Sequence, residues 1–399
     1  MTSVREAENL IQRNLPQYPA VSCPLVRSSG RTLRETIRSD RDWPPFDKSL
    51  VDGVAIRLSA YEKGLRRFHI QAIQPAGKPP TRLRKESYCI EIMTGAARPS
   101  GCDCVIPVEN VQPEGSDILL PDGLKLRSMQ FLRRKAADHR KGEVLFRPGA
   151  VLDPVRIAAA ASVGKIRLKV TSLPRIAIIA TGDELVSVEK HPTPYQVRMS
   201  NSYGVRAVLE GAGFPDVQLF HFRDDLQLLR RELRAILNKF DVLVLSGGVS
   251  MGKFDYVPRV LADLKVEKIF HKVAQRPGRP FWFGRSRLGR LVFALPGNPA
   301  STIVCAYRYV VPALKKAVGK KGRLDSHVVL GEGIGADPSL TLFLPVKIFQ
   351  GTKGKTFVRQ VEYGGSGDFG ALGRGDGFVE LAPRLRPYPR GTVVPLWLW

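Results

Sequence analysis

The sequence lacks any apolar run of the roughly 18 residues that a membrane-spanning helix requires, which excludes that class of protein. The N-terminal stretch carries acidic residues and no apolar signal core, so we expect no secretion signal. Cysteine is also scarce, since the chain has 5 cysteines, scattered and odd in number. This pattern disfavours a disulfide framework and indicates a reducing, cytoplasmic location. Cys102 and Cys104 are too close together for a usual zinc pair, and we expect buried thiols there.

Acidic residues are few relative to basic ones, with 37 Asp and Glu against 62 Lys and Arg, giving a net charge of +25. Such an excess is compatible with nucleic-acid binding. However, the basic residues are spread along the whole chain, and no basic tail, zinc-finger or RNP pattern is present. We interpret the charge as a surface adapted for solubility, which is also compatible with an anionic small-molecule substrate. The sequence favours neither a nucleic-acid nor a membrane partner.

Histidine is rare as well, at 6 residues, and this bears on the Gly-rich stretch 241–255, DVLVLSGGVSMGKFD. Gly248 to Gly252 fits the nucleophile-elbow pattern, but neither His271 nor His327 lies in a Gly-rich turn that could complete a Ser-His-Asp site. The same stretch partly fits a P-loop, although Phe254 replaces the Ser or Thr that binds magnesium. Both alternatives remain minority interpretations.

The position at which a helix is expected to start after this stretch disfavours both the nucleophile elbow and the P-loop. Each motif requires a helix to begin near Gly252, which would place Pro258 in the helix interior at a cost of about 3 kcal/mol. Asp255 instead has the features of an N-cap, followed by Tyr256 and Val257 in the first turn. We therefore predict a wide anion-binding loop after the apolar strand at 242–245.

The order of predicted elements indicates an α/β multidomain protein. Strands and helices alternate from residue 174 to 322, which is typical of a parallel sheet with helices on both faces. Short strands and Gly/Pro turns surround this part on both sides. We predict a discontinuous N-terminal linker domain (1–46 and 143–173), a β-rich insert (47–142), the α/β domain (174–322) and a C-terminal β domain (323–399).

Several loops of the α/β domain follow strands and should share one edge of the sheet. Carboxylates at Glu184, Asp224 and Asp255 lie in such loops, and hard oxygen ligands of this kind suit Mg²⁺ with a phosphate completing the shell. The glycine loop offers backbone N–H groups to an anion. The basic residues Lys272, Arg276 and Arg279 suit an oxyanion. The sequence thus predicts a site for a phosphorylated ligand and a metal ion.

The segments that carry this site resemble those of the molybdopterin molybdenumtransferase family, the MoeA and gephyrin E-domain group. The matching segments are PPFDKSLVDG, TGAARPSGCDCVIPVE, ATGDEL, SNSYGVRAVLEGAG, RDD, DVLVLSGGVSMGKFDY, KVAQRPGRPFWFG, LPGNPAS and GGSGDFGAL. The resemblance implies a four-domain homodimer. It also implies insertion of molybdate into adenylylated molybdopterin with release of AMP, assisted by Mg²⁺. The implied partners are a molybdopterin-adenylylating protein and molybdoenzyme apoproteins or their chaperones.

The resemblance implies a role for each matching residue. Catalytic roles fall on Asp52, Thr94, Asp138, Glu184, Asp224 and Asp255, of which the last three are the implied metal ligands. Cofactor-binding roles fall on Gly182, Ser200, Asn201, Gly247, Gly248, Ser250, Lys272, Arg276, Arg279, Pro296, Gly297, Asn298, Pro299 and Ser366. In this family the insert that carries Asp52, Thr94 and Asp138 faces the α/β edge of the partner subunit.

The chain departs from the family pattern at several positions. Met199 replaces a usual Asp, Lys253 replaces a usual acid, and Ala136 and Ala137 replace Gly-Glu before Asp138. Pro345 stands where an Arg of the C-terminal domain usually helps to hold the oxyanion. Lys347 lies two residues further along the predicted strand, on the same face, and could replace that Arg. Because of these departures, we keep a second hypothesis, in which the protein is a non-catalytic pterin- or nucleotide-binding scaffold on the same fold.

Overall fold

A computed structural model describes residues 1–248, 256–320, 326–351 and 354–399. The chain forms two compact units. The larger unit comprises Met1–Cys23, Gly30–Thr32 and Lys169–Trp399, and the smaller unit comprises Pro24–Ser29 and Leu33–Leu168. The four domain boundaries expected from the sequence stay predictions.

The α-helices, numbered in chain order, are α1 Val4–Arg13, α2 Leu58–Glu62, α3 Pro154–Ser162, α4 Ser200–Gly211, α5 Leu226–Lys239, α6 Val257–Asp263, α7 Pro299–Cys305, α8 Val311–Ala317 and α9 Phe369–Arg374. A π-helical segment, Ala306–Val310, joins α7 to α8, and short 3₁₀ turns lie at Leu25–Arg27 and Val108–Asn110.

The strands, also in chain order, are β1 Ala20–Pro24, β2 Ile37–Arg38, β3 Lys48–Ser49, β4 Gly53–Ile56, β5 Arg67–Gln74, β6 Tyr88–Ile92, β7 Cys104–Pro107, β8 Gln112–Glu114, β9 Asp117–Leu119, β10 Leu132–Arg133, β11 Val144–Phe146, β12 Arg167–Thr171, β13 Ile176–Thr181, β14 Leu185–Val186, β15 Val197–Arg198, β16 Val217–Phe222, β17 Val242–Ser246, β18 Val266–His271, β19 Gln275–Arg276, β20 Trp282–Ser286, β21 Leu291–Leu295, β22 His327–Leu330, β23 Thr341–Gln350, β24 Thr356–Gln360, β25 Gly377–Leu381 and β26 Val393–Leu398.

The α/β part of the larger unit is built on a six-stranded sheet with the order β16-β13-β17-β21-β20-β18. The pairs β16–β13, β13–β17 and β17–β21 are parallel, as the alternation of strands and helices predicts. Strand β20 was not predicted from the sequence. It pairs antiparallel with both β21 and β18. The sheet is therefore parallel over four strands and antiparallel at one side.

Both faces of this sheet are buried, and the two-residue period of a strand divides its side chains between two cores. Ile176 and Ile178 pack with residues of α4, α7 and α8 on one face. Ala177 and Ile179 pack with residues of α5 and α6 on the other face. The central strands β13, β17 and β21 are buried along their whole length, so their sequences are continuous, almost entirely apolar runs.

Helix starts follow local hydrogen bonding. The pattern Ser3-Val4-Arg5-Glu6 predicts a capping box at the start of α1. The structure confirms it, since the Ser3 hydroxyl accepts a bond from the Glu6 N–H at 3.2 Å and the Glu6 carboxylate accepts one from the Ser3 N–H at 3.3 Å. Asp153 caps α3 ahead of Pro154, as predicted. The sequence predicts a helix after the stretch 200–202, but α4 already begins at Ser200 and includes these residues. α6 begins at Val257 with Pro258 in its first turn, and the predicted cap at Asp255 lies outside the described residues.

The sequence predicts a helix from Thr302 to Lys315, but α7 begins earlier, at Pro299, and the π-helical segment interrupts the helix after Cys305. Pro312 supplies the reason for that segment, because proline has no N–H and its ring collides with the carbonyl of the preceding turn. A wider π turn relieves this collision and turns Tyr307 and Arg308 relative to the helix before them.

The remaining sheets match the β-rich segments predicted from the sequence. In the smaller unit a six-stranded sheet has the order β7-β4-β6-β5-β9-β8. In the larger unit the C-terminal sheet has the order β19-β23-β24-β22-β26-β25, and α9 contacts both β23 and α7. No described helix combines the length and the apolar character that crossing a bilayer demands.

All five cysteines are buried and none forms a disulfide, which confirms the expectation of buried thiols at Cys102 and Cys104. Burial raises the pKa of Cys89, Cys102, Cys104 and Cys305 to about 12. We expect these four thiols to resist dithiobis(nitrobenzoate) at pH 8 in the native protein and to react after unfolding in guanidinium chloride. Since the folded pKa is raised, their contribution to stability is complete below the unfolded pKa and is lost as the pH rises towards 12. Rapid labelling of native protein would contradict this expectation.

Candidate functional site

Three parallel strands of the α/β sheet end at the same edge. The last residues of β13, β17 and β21 are Thr181, Ser246 and Leu295. The ladders place Ser246 beside Leu295 and beside Ala180, the residue before Thr181. The Gly247 N–H donates to the Leu295 carbonyl at 3.4 Å, which ties the glycine loop to the next strand. The predicted convergence of these loops at one edge is therefore present.

A cavity of about 480 Å³ opens at this edge. The residues predicted for the site that line it are Glu184, Ser200, Asn201, Gly247, Gly297 and Pro299. Further lining residues, which the sequence analysis did not select, are Ala180, Thr181, Leu185, Pro192, Val197, Arg198, Met199 and Ser246. The small parallel pair β14–β15 brings the segment 185–198 over the cavity. This segment is called the flap below.

Asn201, in the first turn of α4, links two of the converging loops. Its Nδ2 donates to the Gly297 carbonyl at 2.7 Å and to the Ser246 hydroxyl at 3.0 Å. Its Oδ1 is buried and has no hydrogen-bond partner among the described residues, and the same holds for Oγ1 of Thr181. Buried polar groups are normally satisfied, so these two oxygens mark places where a ligand or water would complete the bonding.

The amino terminus of α4 also faces this cavity. Met199 occupies the cap position and makes no side-chain hydrogen bond to the first turn. The N–H groups at the start of a helix lack intrahelical partners and carry a partial positive charge. Together with the glycine loop, this helix start provides backbone donors for a phosphate.

The glycine loop requires glycine for steric as well as conformational reasons. Gly247 has φ +95° and Gly248 has φ +65°, both in the left-handed region. A Cβ atom on Gly247 would lie 2.7 Å from the Thr181 carbonyl oxygen, and one on Gly248 would lie 2.7 Å from Thr181 Oγ1. The loop therefore packs directly on the end of β13 and shapes the wall of the cavity.

Gly247→Ala tests this packing. We expect a loss of about 3 kcal/mol in the free energy of unfolding, from the left-handed backbone and from the collision with Thr181. Gly164→Ala is the matched control, because Gly164 has φ +76° but no atom within 4 Å of its added Cβ. The control should cost about 1 kcal/mol, as measured by guanidinium unfolding. Equal losses for the two variants would show that the contact with Thr181 is unimportant.

The predicted metal ligands are only partly described, since Asp255 lies outside the described residues, as do Ser250 and Lys253. Glu184 and Asp224 follow β13 and β16, which are neighbours in the sheet. The Asp224 N–H donates to the Asp183 carboxylate at 3.4 Å. Within the described ranges, no group of three or more His, Cys, Asp and Glu side chains could hold a metal ion. The metal assignment stays a prediction that rests on Glu184 and Asp224.

The predicted cations do not line the cavity within the part of the chain that the structure describes. Arg276 is 3.7 Å from the carboxylate of Asp337, and Nε of Arg279 approaches the sulfur of Met1 at 3.2 Å. Lys272 follows β18 at the far side of the sheet. Their role stays a prediction. Arg198 is the basic residue in the cavity wall, and its Nε donates to two carbonyls of the flap, Val188 and Lys190.

The turn 296–299 is joined to the C-terminal sheet through Ser366. Asn298 Nδ2 donates to the Ser366 hydroxyl at 2.8 Å, and the Ala300 N–H donates to the Ser366 carbonyl at 3.0 Å. The Pro296 carbonyl accepts a bond from the Thr302 hydroxyl at 2.6 Å. The structure thus places Ser366 beside the turn, although the sequence positions are far apart. Gly182 lies at the same edge, beneath the Glu184 carboxylate.

The predicted site residues of the smaller unit form two groups. The Asp52 carboxylate accepts bonds from the Thr94 N–H at 2.6 Å and from the Thr94 hydroxyl at 3.0 Å. Asp138 is paired with the guanidinium of Arg133, and this hydrogen bond holds the pKa of the carboxyl below its usual range. Each carboxylate is therefore fixed in position by its hydrogen bonds.

The departure at Pro345 lies within β23, opposite Phe378. Lys347, the residue considered as its replacement, forms an ion pair with Asp376 at 2.5 Å. Its charge is therefore compensated within the C-terminal sheet, and a role in holding an oxyanion would require that pair to open.

Family models match three consecutive parts of the chain. The MoeA N-terminal region (domains I and II) covers residues 2–164, a probable molybdopterin binding domain covers 177–316, and the MoeA C-terminal region (domain IV) covers 327–399. A molybdopterin molybdenumtransferase from Synechocystis sp. is 36% identical over 403 aligned residues, spanning 100% of both chains. The chain belongs to the molybdopterin molybdenumtransferase family.

Other members of the molybdopterin molybdenumtransferase family support the same assignment. The Staphylococcus aureus molybdopterin molybdenumtransferase is 33% identical over 325 residues, covering 79% of this chain and 76% of the relative. The crystal structure of the molybdopterin biosynthesis MoeA protein from Pyrococcus horikosii superposes with a TM-score of 0.80 at 27% identity, covering 100% and 99% of the two chains. Membership of this family makes the protein a transferase of molybdenum cofactor biosynthesis, and the multidomain fold expected from the sequence is confirmed.

Proposed function

We propose that the protein inserts molybdate into adenylylated molybdopterin and releases AMP. The observation that supports this most directly is the cavity at the strand ends, where backbone donors, two unsatisfied buried oxygens and Glu184 converge. Its volume of about 480 Å³ lies in the range of small-molecule sites. The full-length similarity to transferases disfavours the scaffold reading.

The chain's own residues would act by binding and orientation. The glycine loop and the start of α4 bind the adenylate phosphate through N–H groups. The amide oxygen of Asn201 and the hydroxyl of Thr181 complete their hydrogen bonding with polar groups of the nucleotide or pterin. Arg198, held by the flap, contributes positive charge to the same wall. Fixing two anionic reactants in one orientation removes much of the entropic barrier to their reaction.

Magnesium fits the donors at this edge, because Mg²⁺ is commonly bound by one or two carboxylates together with a substrate phosphate. Glu184 and Asp224 would hold the ion. When bound, Mg²⁺ neutralises charge on the phosphate whose bond is broken as AMP leaves. Burial of uncompensated anions in the cavity would otherwise oppose binding.

The smaller unit is proposed to contribute from a second subunit. Asp52, Thr94 and Asp138 would face the cavity of the partner in a homodimer, where the two carboxylates order the molybdate site through bound cations or water. The substrate would arrive from a molybdopterin-adenylylating protein, and the product would pass to molybdoenzyme apoproteins or their chaperones, all in the cytoplasm.

Direct measurement of AMP tests the proposal. The purified protein is mixed with adenylylated molybdopterin, Mg²⁺ and molybdate, and AMP is followed by chromatography. We expect AMP release that depends on both molybdate and Mg²⁺. Reactions without molybdate provide the background. Absence of AMP at every molybdate concentration, with the substrate still bound, would refute the enzymatic function. It would favour the hypothesis of a non-catalytic binding scaffold.

A further inference from the structure

A second and larger cavity, of about 790 Å³, lies in the larger unit away from the candidate active site. It is bounded by α1, the carboxyl end of α4, the π-helical segment with α8, and the last strand, β26. Its volume lies within the roughly 300–1,000 Å³ that is typical of sites for small molecules. Nothing in the proposed reaction uses this cavity.

The floor of the second cavity is aromatic. Trp397 is stacked on Phe378 at 6.0 Å with the rings 7° apart, and the Arg308 guanidinium covers it at 5.0 Å. Trp399 lies beside Tyr307 with ring centres 6.2 Å apart, and it remains 37% exposed. Because Trp397 is covered while Trp399 keeps accessible ring surface, Trp399 is the ring on which a ligand can stack.

The opposite wall is built from small residues of α4. Ala207 and Gly211 line it, and a Cβ added at Gly211 would meet no atom within 4 Å. Small side chains here leave this side of the cavity open, so a ring system has room to lie against Trp399.

The rim of the second cavity is basic. Lys315, Lys316 and Lys320 all line it. The acid present, Glu8, is already engaged, since its carboxylate accepts bonds from Arg308 at 2.8 Å and from Gln12 at 3.2 Å. Burial, together with the charges of Lys315 and Arg31, lowers the pKa of Lys320. The rim therefore carries positive charge that an anion would stabilise.

We propose that this second cavity binds a planar aromatic molecule that carries an anionic group, with the ring against Trp399 and the anion at the lysine rim. The aromatic residues favour a ring, and the three lysines together with the engaged carboxylate of Glu8 favour an anion over a neutral or cationic ligand. Gly211 in the wall of this cavity lies at the opposite end of α4 from Asn201, about 15 Å along the helix. The ligand is thus bound separately from the substrate of the proposed reaction.

Calorimetric titration with a matched pair of probes tests the proposal. Naphthalene-2-sulfonate has the proposed ring and charge, whereas naphthalene-2-sulfonamide has the same ring without the charge. We expect the sulfonate to bind the full-length protein about tenfold more tightly than the sulfonamide. The double variant Lys316→Gln/Lys320→Gln should remove that difference, while Lys268→Gln, an exposed lysine on β18, should leave it unchanged.

Two further variants test where the aromatic ring of the probes binds. Trp399→Ala should weaken both probes about tenfold, and Ala207→Leu should do the same by filling the open side of the cavity without removing a packed aromatic ring. Equal binding of the two probes to the unaltered protein would overturn the charge assignment. Binding that survives both ring variants would overturn the location. Binding of neither probe at millimolar concentration, as expected if a second copy of the chain closes the cavity, would overturn the proposal itself.

Discussion

Replacing Glu184 with Gln is expected to lower the rate of AMP release by about a hundredfold. Glu184 lines the cavity at the end of β13, and its carboxylate lies over Gly182 at the strand end next to Asp224. Glutamine keeps the size and one oxygen of the side chain but loses the negative charge that holds a divalent ion. The loss should therefore become smaller as the Mg²⁺ concentration is raised.

The matched control is Glu189→Gln, which makes the same chemical change on the flap. Glu189 is exposed and is not among the described residues that line the cavity. Its rate should stay within about twofold of the unaltered protein, as expected for a surface charge. Full activity of Glu184→Gln at every Mg²⁺ concentration would remove Glu184 from the metal site. The nucleotide could still bind through the glycine loop.

Arg308→Met is expected to lower the free energy of unfolding by about 3–5 kcal/mol. The Arg308 side chain is only 6% exposed and lies in the π-helical segment. Its guanidinium is 2.8 Å from Glu380 on β25 and 2.8 Å from Glu8 on α1. It thus joins three elements that are distant in the chain, and methionine would leave the largely buried carboxylate of Glu380 without its cation.

The expected loss can be separated from the loss of a surface ion pair. Arg206→Met removes the partner of Glu210 on α4, where both side chains are more than 40% exposed, and should cost at most about 0.5 kcal/mol. Guanidinium unfolding measures both variants. The double variant Arg308→Met/Glu380→Met should recover part of the loss, because it removes the unpaired charge. A loss below 1 kcal/mol for Arg308→Met would show that water stabilises the charge of the Glu380 carboxylate in place of Arg308.

Much of the site could be predicted from the sequence because its residues follow strands. In a parallel sheet, strand ends share one edge, so the strand order alone predicts that Glu184, Gly247 and Gly297 lie near one another. Asn201 is implied by the family resemblance. The helix caps at Ser3 and Asp153 could also be predicted from the sequence, because each cap depends on hydrogen bonds within three residues. Ser366 was selected through the family resemblance, and the structure places it on Asn298.

Other parts of the site had no usable local signal. Arg198 enters the cavity wall because β14 and β15 pair and bring the flap over the strand ends. Two-residue strands of this kind carry no periodicity that a sequence can display. The strand β20 was missed for a related reason, because its short run is interrupted by a glycine and a charged residue.

The sequence alone determined the alternation of strands and helices, the apolar runs of a sheet buried on both faces, the helix caps and the family. These depend on neighbours within a few residues. Tertiary structure alone decided which charges meet. Arg276 approaches Asp337, Lys347 pairs with Asp376, and Arg308 joins Glu8 to Glu380. The physical reason is distance, because Coulomb attraction and hydrogen bonding act over a few ångströms, and only the packed chain brings residues from distant positions that close.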